Sequence, residues 1–360
     1  MAVAQELRFC ISSDGTRIGY ARTGRGNPIV KAANWLTHIE LDLMSRPYRP
    51  LIEELSRIGQ LVRYDQRGCG LSDRAAADVS LDAHVADLAA VIDAVDAQKV
   101  VLFGLSQGGA IAARYTALNP HRVSHLVLLN AYAQGVDLRD VPATVKETAR
   151  LLTQLVRLGN WKQPNPAFAQ LFTTQLMPDA PPEVARAFNE MMRLASSPEQ
   201  AARLLESMRQ LDATDSLPLI RCPTLVCHSR SDAQVPFEEG RRIASAIPDA
   251  RFVPLESRSH LLLDDEPAWT QFFRELRAFL APAADARGTP AFGSLTAGER
   301  RLLDHLASGL DNAQIAARLG LAEKTVRNTI TRIFDKLAVE NRAQAIVLAR
   351  DAGFGQRVSD

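Results

Sequence analysis

The chain has 360 residues, 46% hydrophobic and 23% charged, a globular composition with enough length for one large domain and one smaller one. Its 42 Lys+Arg against 41 Asp+Glu leave a formal net charge of +1, so no global basic field marks a nucleic-acid partner and any DNA-binding surface must be local. No run of roughly 18 apolar residues offers a membrane span. The opening MAVAQELRFC lacks the charged-then-apolar order of a signal peptide, and Cys10, Cys69, Cys222 and Cys227 form neither a CxxC pair nor a Cys/His zinc spacing. The expectation is a cytoplasmic protein with reduced thiols and no membrane partner.

In chain order, LRFCISS and TRIGYAR flank the tight-turn dipeptide Asp14-Gly15 and predict a β-hairpin. Short apolar runs at Ile29–Ala33, Leu61–Tyr64, Val100–Leu105, His125–Asn130, Thr224–His228 and Arg251–Leu255 alternate with helical stretches. That alternation predicts a doubly wound α/β domain whose mostly parallel sheet is buried on both faces. Between about residues 135 and 217 the strand signals stop. Leu151, Leu152, Leu155 and Leu158, then Phe188, Met191 and Met192, then Leu204, Leu205, Met208 and Leu211 recur at helical spacing. These predict a helical insertion, read either as packing or as a lid over a pocket at the strand ends. Phe168, Phe172, Met177, Phe188 and Met191, with Trp35 from the large domain, are the expected lining of a mainly apolar pocket suited to a lipophilic ester, lactone or aromatic compound. The segment 281–294 (APAADARGTPAFGS) has no periodicity and reads as a linker between a domain at 1–280 and another at 295–353.

Gly104-Leu105-Ser106-Gln107-Gly108 fits G-x-S-x-G, with the strand KVVLFGL before it and the helical run GGAIAARYTAL after it. Glycines flank the serine because a sharp strand-to-helix turn leaves no room for a Cβ. A serine nucleophile needs a base and an orienting acid. His260, after the RFVPL strand, and Asp232, after TLVCH, both fall at carboxyl ends of strands, where sites in such sheets form. The expected roles are Ser106 as nucleophile, His260 as general base then acid, and Asp232 holding the imidazole. The remaining histidines do not cluster, so neither a metal nor a cofactor is expected.

With these residues in place, the first 280 residues resemble the α/β-hydrolase fold, and YDQRGCGLSD (Tyr64–Asp73) is similar to the D-x-R-G-x-G-x-S-D stretch that follows the fourth strand in that family. The resemblance implies a bracing role for Arg67 beneath the nucleophile. It also implies an oxyanion hole built from the backbone N–H groups of Trp35 and Gln107. Here the chain departs from the family: Ala33-Asn34 stand where His-Gly is usual, and Ser259 replaces the common glycine before the histidine. A triad retained for ligand recognition without turnover therefore stands beside a triad that turns over.

Beyond the linker, Thr296/Glu299 and Asp311/Gln314 form two capping-box patterns. Gly320 then leads into a helix at about 323–337. Val326, Ile330, Ile333, Phe334 and Leu337 fall on its inward stripe; Lys324, Thr325, Arg327, Asn328, Thr331, Arg332 and Lys336 fall on the other face, a set suited to phosphates and base edges. This all-α segment resembles the LuxR-type (NarL-like) helix-turn-helix domain through LTAGERRLLDHLASG, IAARLGL and KTVRNTITRIFDKLAVENRAQA, with Ala322, Thr329 and Ala338 as small departures. The resemblance implies double-stranded DNA as partner, two half-sites, and a homodimer touching through the last helix, with Ala345, Ile346 and Leu348 among its apolar residues. From Ala291 onward the chain carries 10 Lys+Arg and 8 Asp+Glu, so affinity must come from the helix face rather than bulk charge. The combined expectation is a ligand-responsive, one-component transcriptional regulator, with an active serine esterase or lactonase carrying a regulatory tail as the alternative.

Overall fold

The computed structural model of the protein describes residues 4–159, 167–281, 292, 295–337, 339 and 341–355. It falls into two compact units, Met1–Phe279 and Leu280–Asp360. All of the predicted linker except Ala281 and Phe292 lies outside the described residues.

The first unit holds eight strands: β1 (Gln5–Ile11), β2 (Arg17–Thr23), β3 (Pro28–Lys31), β4 (Gln60–Tyr64), β5 (Val100–Leu105), β6 (Val123–Leu129), β7 (Thr224–Ser229) and β8 (Arg251–Leu255). They form one sheet in the order β1-β2-β4-β3-β5-β6-β7-β8. The hairpin β1–β2 turns at the predicted Asp14-Gly15, where Gly15 takes φ +88°, and pairs antiparallel from Gln5↔Thr23 to Ile11↔Arg17. β2 pairs antiparallel with β4, and the remaining neighbours from β4 through β8 are parallel.

Alternate residues of the apolar strands feed two different layers. Leu102 and Leu128 join a cluster with Leu88, Val91 and Ile92 of α2 (Leu81–Asp93), Ile111 and Tyr115 of α3 (Gly108–Leu118) and Ile243 of α8 (Phe237–Ala246). On the other face, Phe103 packs on Phe272 of α9 (Pro267–Leu280), ring centroids 6.2 Å apart. Fully burying a Leu or Phe contributes about 1.5–3 kcal/mol, so the sheet centre is the most stabilised part of the unit. α1 (Arg49–Ile58) also buries Leu51, Ile52 and Leu55.

The helical insertion comprises α4 (Ala143–Arg157), α5 (Ala167–Leu176), α6 (Pro182–Ala195) and α7 (Pro198–Gln210), between β6 and β7. Its two ends are stitched together by the bonds Gly135 N–H to Leu211 O, 2.8 Å, and Asp137 N–H to Arg209 O, 3.0 Å. Only glycine fits at 135, since a Cβ would lie 2.3 Å from Arg209 O. The leucines whose spacing predicted α4 do not all face inward. Leu151 and Leu158 are 56% and 72% exposed, and α4 buries Thr153 and Val156 instead.

The second unit is helical: α10 (Ala297–Ala307), α11 (Asn312–Leu319), α12 (Glu323–Leu337) and α13 (Arg342–Asp351). Both predicted capping boxes form, on α10 through Thr296 and Glu299 and on α11 through Asp311 and Gln314. Gly320 closes α11 in the left-handed region at φ +65°, which turns the chain into α12. Leu302, Leu303, Leu306, Ile315, Val326 and Ile333 form the core of this unit.

Candidate functional site

The elbow at Ser106 is built by three glycines. A Cβ at Gly104 would lie 2.7 Å from Gly109 Cα, one at Gly108 2.9 Å from Ala32 O, and one at Gly109 2.3 Å from the Ala131 Cβ. This close approach pulls α3 onto β5 and forces Ser106 to φ +55°, a strained left-handed backbone for a residue with a side chain. The serine therefore sits at the head of α3, whose N-terminal dipole favours negative charge there.

Asp232 and His260 meet beyond the ends of β7 and β8, and no hydrogen bond joins Ser106 to His260 Nε2 among the described residues. The Asp232 Oδ2 lies 2.7 Å from His260 Nδ1, and both side chains are buried. Asp232 Oδ1 accepts from the backbone N–H groups of Gln234 and Val235, 2.8 and 3.0 Å, which fixes the orientation of the carboxylate. With Nδ1 engaged, His260 Nε2 is buried and has no hydrogen-bond partner among the described residues. A second histidine, His228, is packed beneath: its Nε2 lies 3.0 Å from Val235 O and 3.8 Å from Asp232 Oδ2, and burial pushes its pKa down.

Asn130 organises the strand ends around this pair. Fully buried at the end of β6, it donates through Nδ2 to His260 O, 2.8 Å, and accepts at Oδ1 from the Ser229 N–H, 2.7 Å. Its neighbour Leu129 accepts through its carbonyl from the Ser106 N–H, 3.2 Å. The turns that carry Ser106, Asp232 and His260 are thereby tied to one point at the carboxyl edge of the sheet. The insertion adds a further tie, from the backbone N–H of His260 to the Leu176 carbonyl at the end of α5, 2.8 Å. Sequence reasoning missed Asn130; a polar residue ending the apolar run HLVLL was the available signal.

The loop after β3 carries a second fixed network. The buried Lys31 ammonium donates to Asn34 Oδ1, 2.5 Å, and Asn34 Nδ2 donates to the Tyr48 hydroxyl, 3.1 Å. Burial lowers the Lys31 pKa to about 8 despite the pull of Asp42. In place of His-Gly, this chain thus shapes the loop through a side-chain bridge between Lys31 and Asn34. Trp35 follows it, donating through Nε1 to Ala201 O, 3.3 Å, and stacking on Phe172, 5.5 Å. Gln107 is buried and its Oε1 accepts from Gln66 Nε2, 3.4 Å. Arg67, completely buried, chelates Asp87 at 2.7 and 2.6 Å and reaches Asp14 at 2.8 Å, so it joins the hairpin turn to α2.

Ser106 opens into a cavity of about 340 Å³ under the insertion. Of the side chains predicted to line it, Phe172 does so; Trp35, Phe168, Met177, Phe188 and Met191 are not on its wall. Phe168 and Trp35 pack on Phe172, and Phe188 lies against Tyr48, so these side chains are engaged in packing instead. The wall is made by Val136, Val141, Leu152, Leu205 and Met208 with Tyr132, and it includes two arginines, Arg139 and Arg209. No group of three His, Cys, Asp or Glu residues among the described residues is placed to hold a metal ion. No helix among them is long and apolar enough to cross a membrane.

In the helical unit, Lys324, Thr325, Arg327, Asn328, Thr331 and Arg332 stand exposed along α12. Lys336 does not join them: its ammonium lies 2.7 Å from Glu299 Oε2, which also accepts the Thr296 N–H, 2.8 Å. The two bonds hold the Glu299 carboxyl far below its usual range, near 2. Lys336 is therefore a strut between α12 and α10. On α13, Ala345 is fully buried in the unit's own core, with Ile346 and Leu348 packed against it; Val347 is the apolar side chain left 61% exposed. Ala345 is thereby corrected from a contact residue to a core residue.

The elbow, the His260–Asp232 pair and the strand order define an α/β-hydrolase, and the four-helix unit with an exposed basic helix defines a LuxR-type domain. Residues 41–267 match the family described as alpha/beta hydrolase fold, to which the chain belongs, and residues 293–349 match the bacterial regulatory proteins of the luxR family. It is 28% identical over 240 residues to the AB hydrolase superfamily protein YisY of Bacillus subtilis (strain 168), covering 66% of this chain and 86% of the relative. The solved esterase EaEST from Exiguobacterium antarcticum is similar with a TM-score of 0.64 and 27% identity, over 75% of this chain and 98% of the esterase. The DNA-binding transcriptional activator DevR/DosR of Mycobacterium tuberculosis (strain ATCC 25618 / H37Rv) is 34% identical over 152 residues, covering 39% of this chain and 64% of that protein. One chain thus joins a hydrolase domain to a LuxR-type DNA-binding domain.

Proposed function

We propose that this protein is a ligand-responsive transcriptional regulator in which the α/β-hydrolase unit takes up a small ester or lactone and the LuxR-type unit binds promoter DNA. The observation that carries the reading is the presence on one chain of a Ser106-lined cavity and an outward basic face on α12. A hydrolase without a regulatory task has no use for that face. Arg327 and Arg332 would meet phosphates or base edges, with Lys324, Thr325, Asn328 and Thr331 beside them. Two copies would bind two half-sites, which strengthens a weak single contact, and a DNA partner fits a cytoplasmic protein. Ligand changes DNA affinity only by binding the two states of the regulator unequally.

A second reading, turnover by a serine esterase or lactonase mechanism, is favoured by the unpartnered His260 Nε2. Ser106 Oγ would attack the carbonyl carbon while Nε2 takes its proton. The imidazolium would be stabilised by Asp232 and the oxyanion by the Trp35 and Gln107 N–H groups. His260 would then protonate the leaving alcohol, and water would release the acid from Ser106. Turnover that consumes the ligand would reset the switch, so the two readings are compatible.

A fluorophosphonate probe followed by intact mass, beside p-nitrophenyl ester hydrolysis, separates them. Labelling and turnover that disappear in Ser106→Ala support the enzyme reading. Labelling without turnover supports a sensor. Absence of labelling in the wild type defeats the triad assignment. For the regulator itself, a promoter-fragment mobility shift that no ligand alters, at any salt concentration, would defeat the proposal.

A further inference from the structure

We infer that the cavity at Ser106 selects a ligand with a free carboxylate at the end remote from the scissile bond, received by Arg139. The inference rests on the reading that this cavity is the ligand site and specifies its chemistry.

Arg139 lies on the cavity wall and is only 6% exposed. Its Nε donates to Gln134 O, 2.6 Å, its guanidinium lies 4.8 Å from the Tyr132 ring, and Glu239 is 3.6 Å from Nε. Nη1 and Nη2, the fork that binds a carboxylate in parallel, make no hydrogen bond with the described residues. Burial lowers the guanidinium pKa, while Glu239 pulls it the other way. The wider charge balance agrees. Glu239 is shared between Arg139 and Arg242, and Asp137 between Arg209 and Arg150, with Glu147 also on Arg150, which sets four guanidiniums against three carboxylates. No acidic side chain lines the cavity, whereas Arg139 and Arg209 both do.

A buried cation with an open fork on a wall that carries no acidic side chain is costly unless a ligand completes it. The cavity, about 340 Å³, is at the compact end of the range for small-molecule sites. The class that satisfies every feature is a short monoanionic ester or lactone: carbonyl at Ser106, aliphatic middle against Leu152 and Met208, carboxylate at Arg139.

The test uses the full chain carrying Ser106→Ala, so that turnover does not enter, and compares mono-methyl glutarate with dimethyl glutarate by calorimetry at pH 7. The monoester is expected to bind at least about tenfold tighter than the neutral diester. That preference should fall below about threefold in Ser106→Ala/Arg139→Met and return in part with Arg139→Lys, in which a point charge replaces the fork. Equal affinities in Ser106→Ala, or no monoester binding up to about 10 mM, overturn the inference without recourse to the Arg139 variants. The two readings fail separately. A carboxylate preference in a protein that neither labels nor turns over leaves the inference standing and removes the enzyme, whereas turnover without that preference removes the inference and leaves the enzyme.

Discussion

Asn130→Ala is the substitution with the largest reach for its size. The side chain is fully buried and links the His260 carbonyl to the Ser229 N–H. Truncation orphans both groups. Ser259 O is spared, because Ser229 Oγ also donates to it at 2.9 Å. Two buried orphans at about 1–3 kcal/mol each give about 4 kcal/mol. Alanine at φ +46°, which Asn tolerates better, adds about 1 kcal/mol. All three tryptophans, Trp35, Trp161 and Trp269, belong to the hydrolase unit, so tryptophan fluorescence in urea reports that unit alone. At about 3 kcal/mol/M, a loss of about 5 kcal/mol moves the midpoint down by about 1.7 M. Asn130→Gly removes the φ penalty and should recover about 0.3 M of it. In the folded variant, the unanchored His260 turn should slow fluorophosphonate labelling more than about tenfold. A midpoint shift under about 0.4 M together with unchanged labelling would refute the claim that Asn130 holds the site.

Three further predictions concern other parts of the chain. His84 is buried and its pKa is lowered by burial to about 3, so the folded unit holds it neutral while the unfolded chain protonates it near 6.5. Stability is therefore lost as pH falls through that window; between pH 6.5 and 5 the loss is about 2 kcal/mol. His84→Gln should shrink the difference between urea unfolding at pH 7 and pH 5 by that amount, and an unchanged difference would remove the assignment. On α12, Arg327→Ala/Arg332→Ala should reduce the salt slope of promoter binding by about 2. Lys336→Met should leave the slope unaltered and lower the melting temperature of the helical unit, because its partner is Glu299 rather than phosphate. A slope change for Lys336→Met would return that residue to the DNA face.

Local pattern carried far in this protein. A strand buried on both faces must be apolar throughout, so VVLFGL and HLVLL announced β5 and β6 without any knowledge of their neighbours. The turn at Asp14-Gly15, the capping boxes of α10 and α11, and the crowded glycines around Ser106 are likewise short-range requirements, each written within a few residues. The order Ser106, Asp232, His260 named candidate residues for the same reason: each follows a strand. What stands opposite a given face is not a local property. Phe188 and Met191 read equally well as pocket wall or as interior, and only the packing of α6 makes them interior. Lys336 looks like any exposed cation of a basic helix until α10 brings Glu299 to it from 37 residues away. Asn130, Arg139 and the Lys31–Asn34 bridge draw their roles from partners on other elements or across a turn, with distances and burial that sequence periodicity does not encode. Periodicity selects a face because backbone geometry repeats every two or 3.6 residues; partnership is decided by tertiary packing, which has no such repeat.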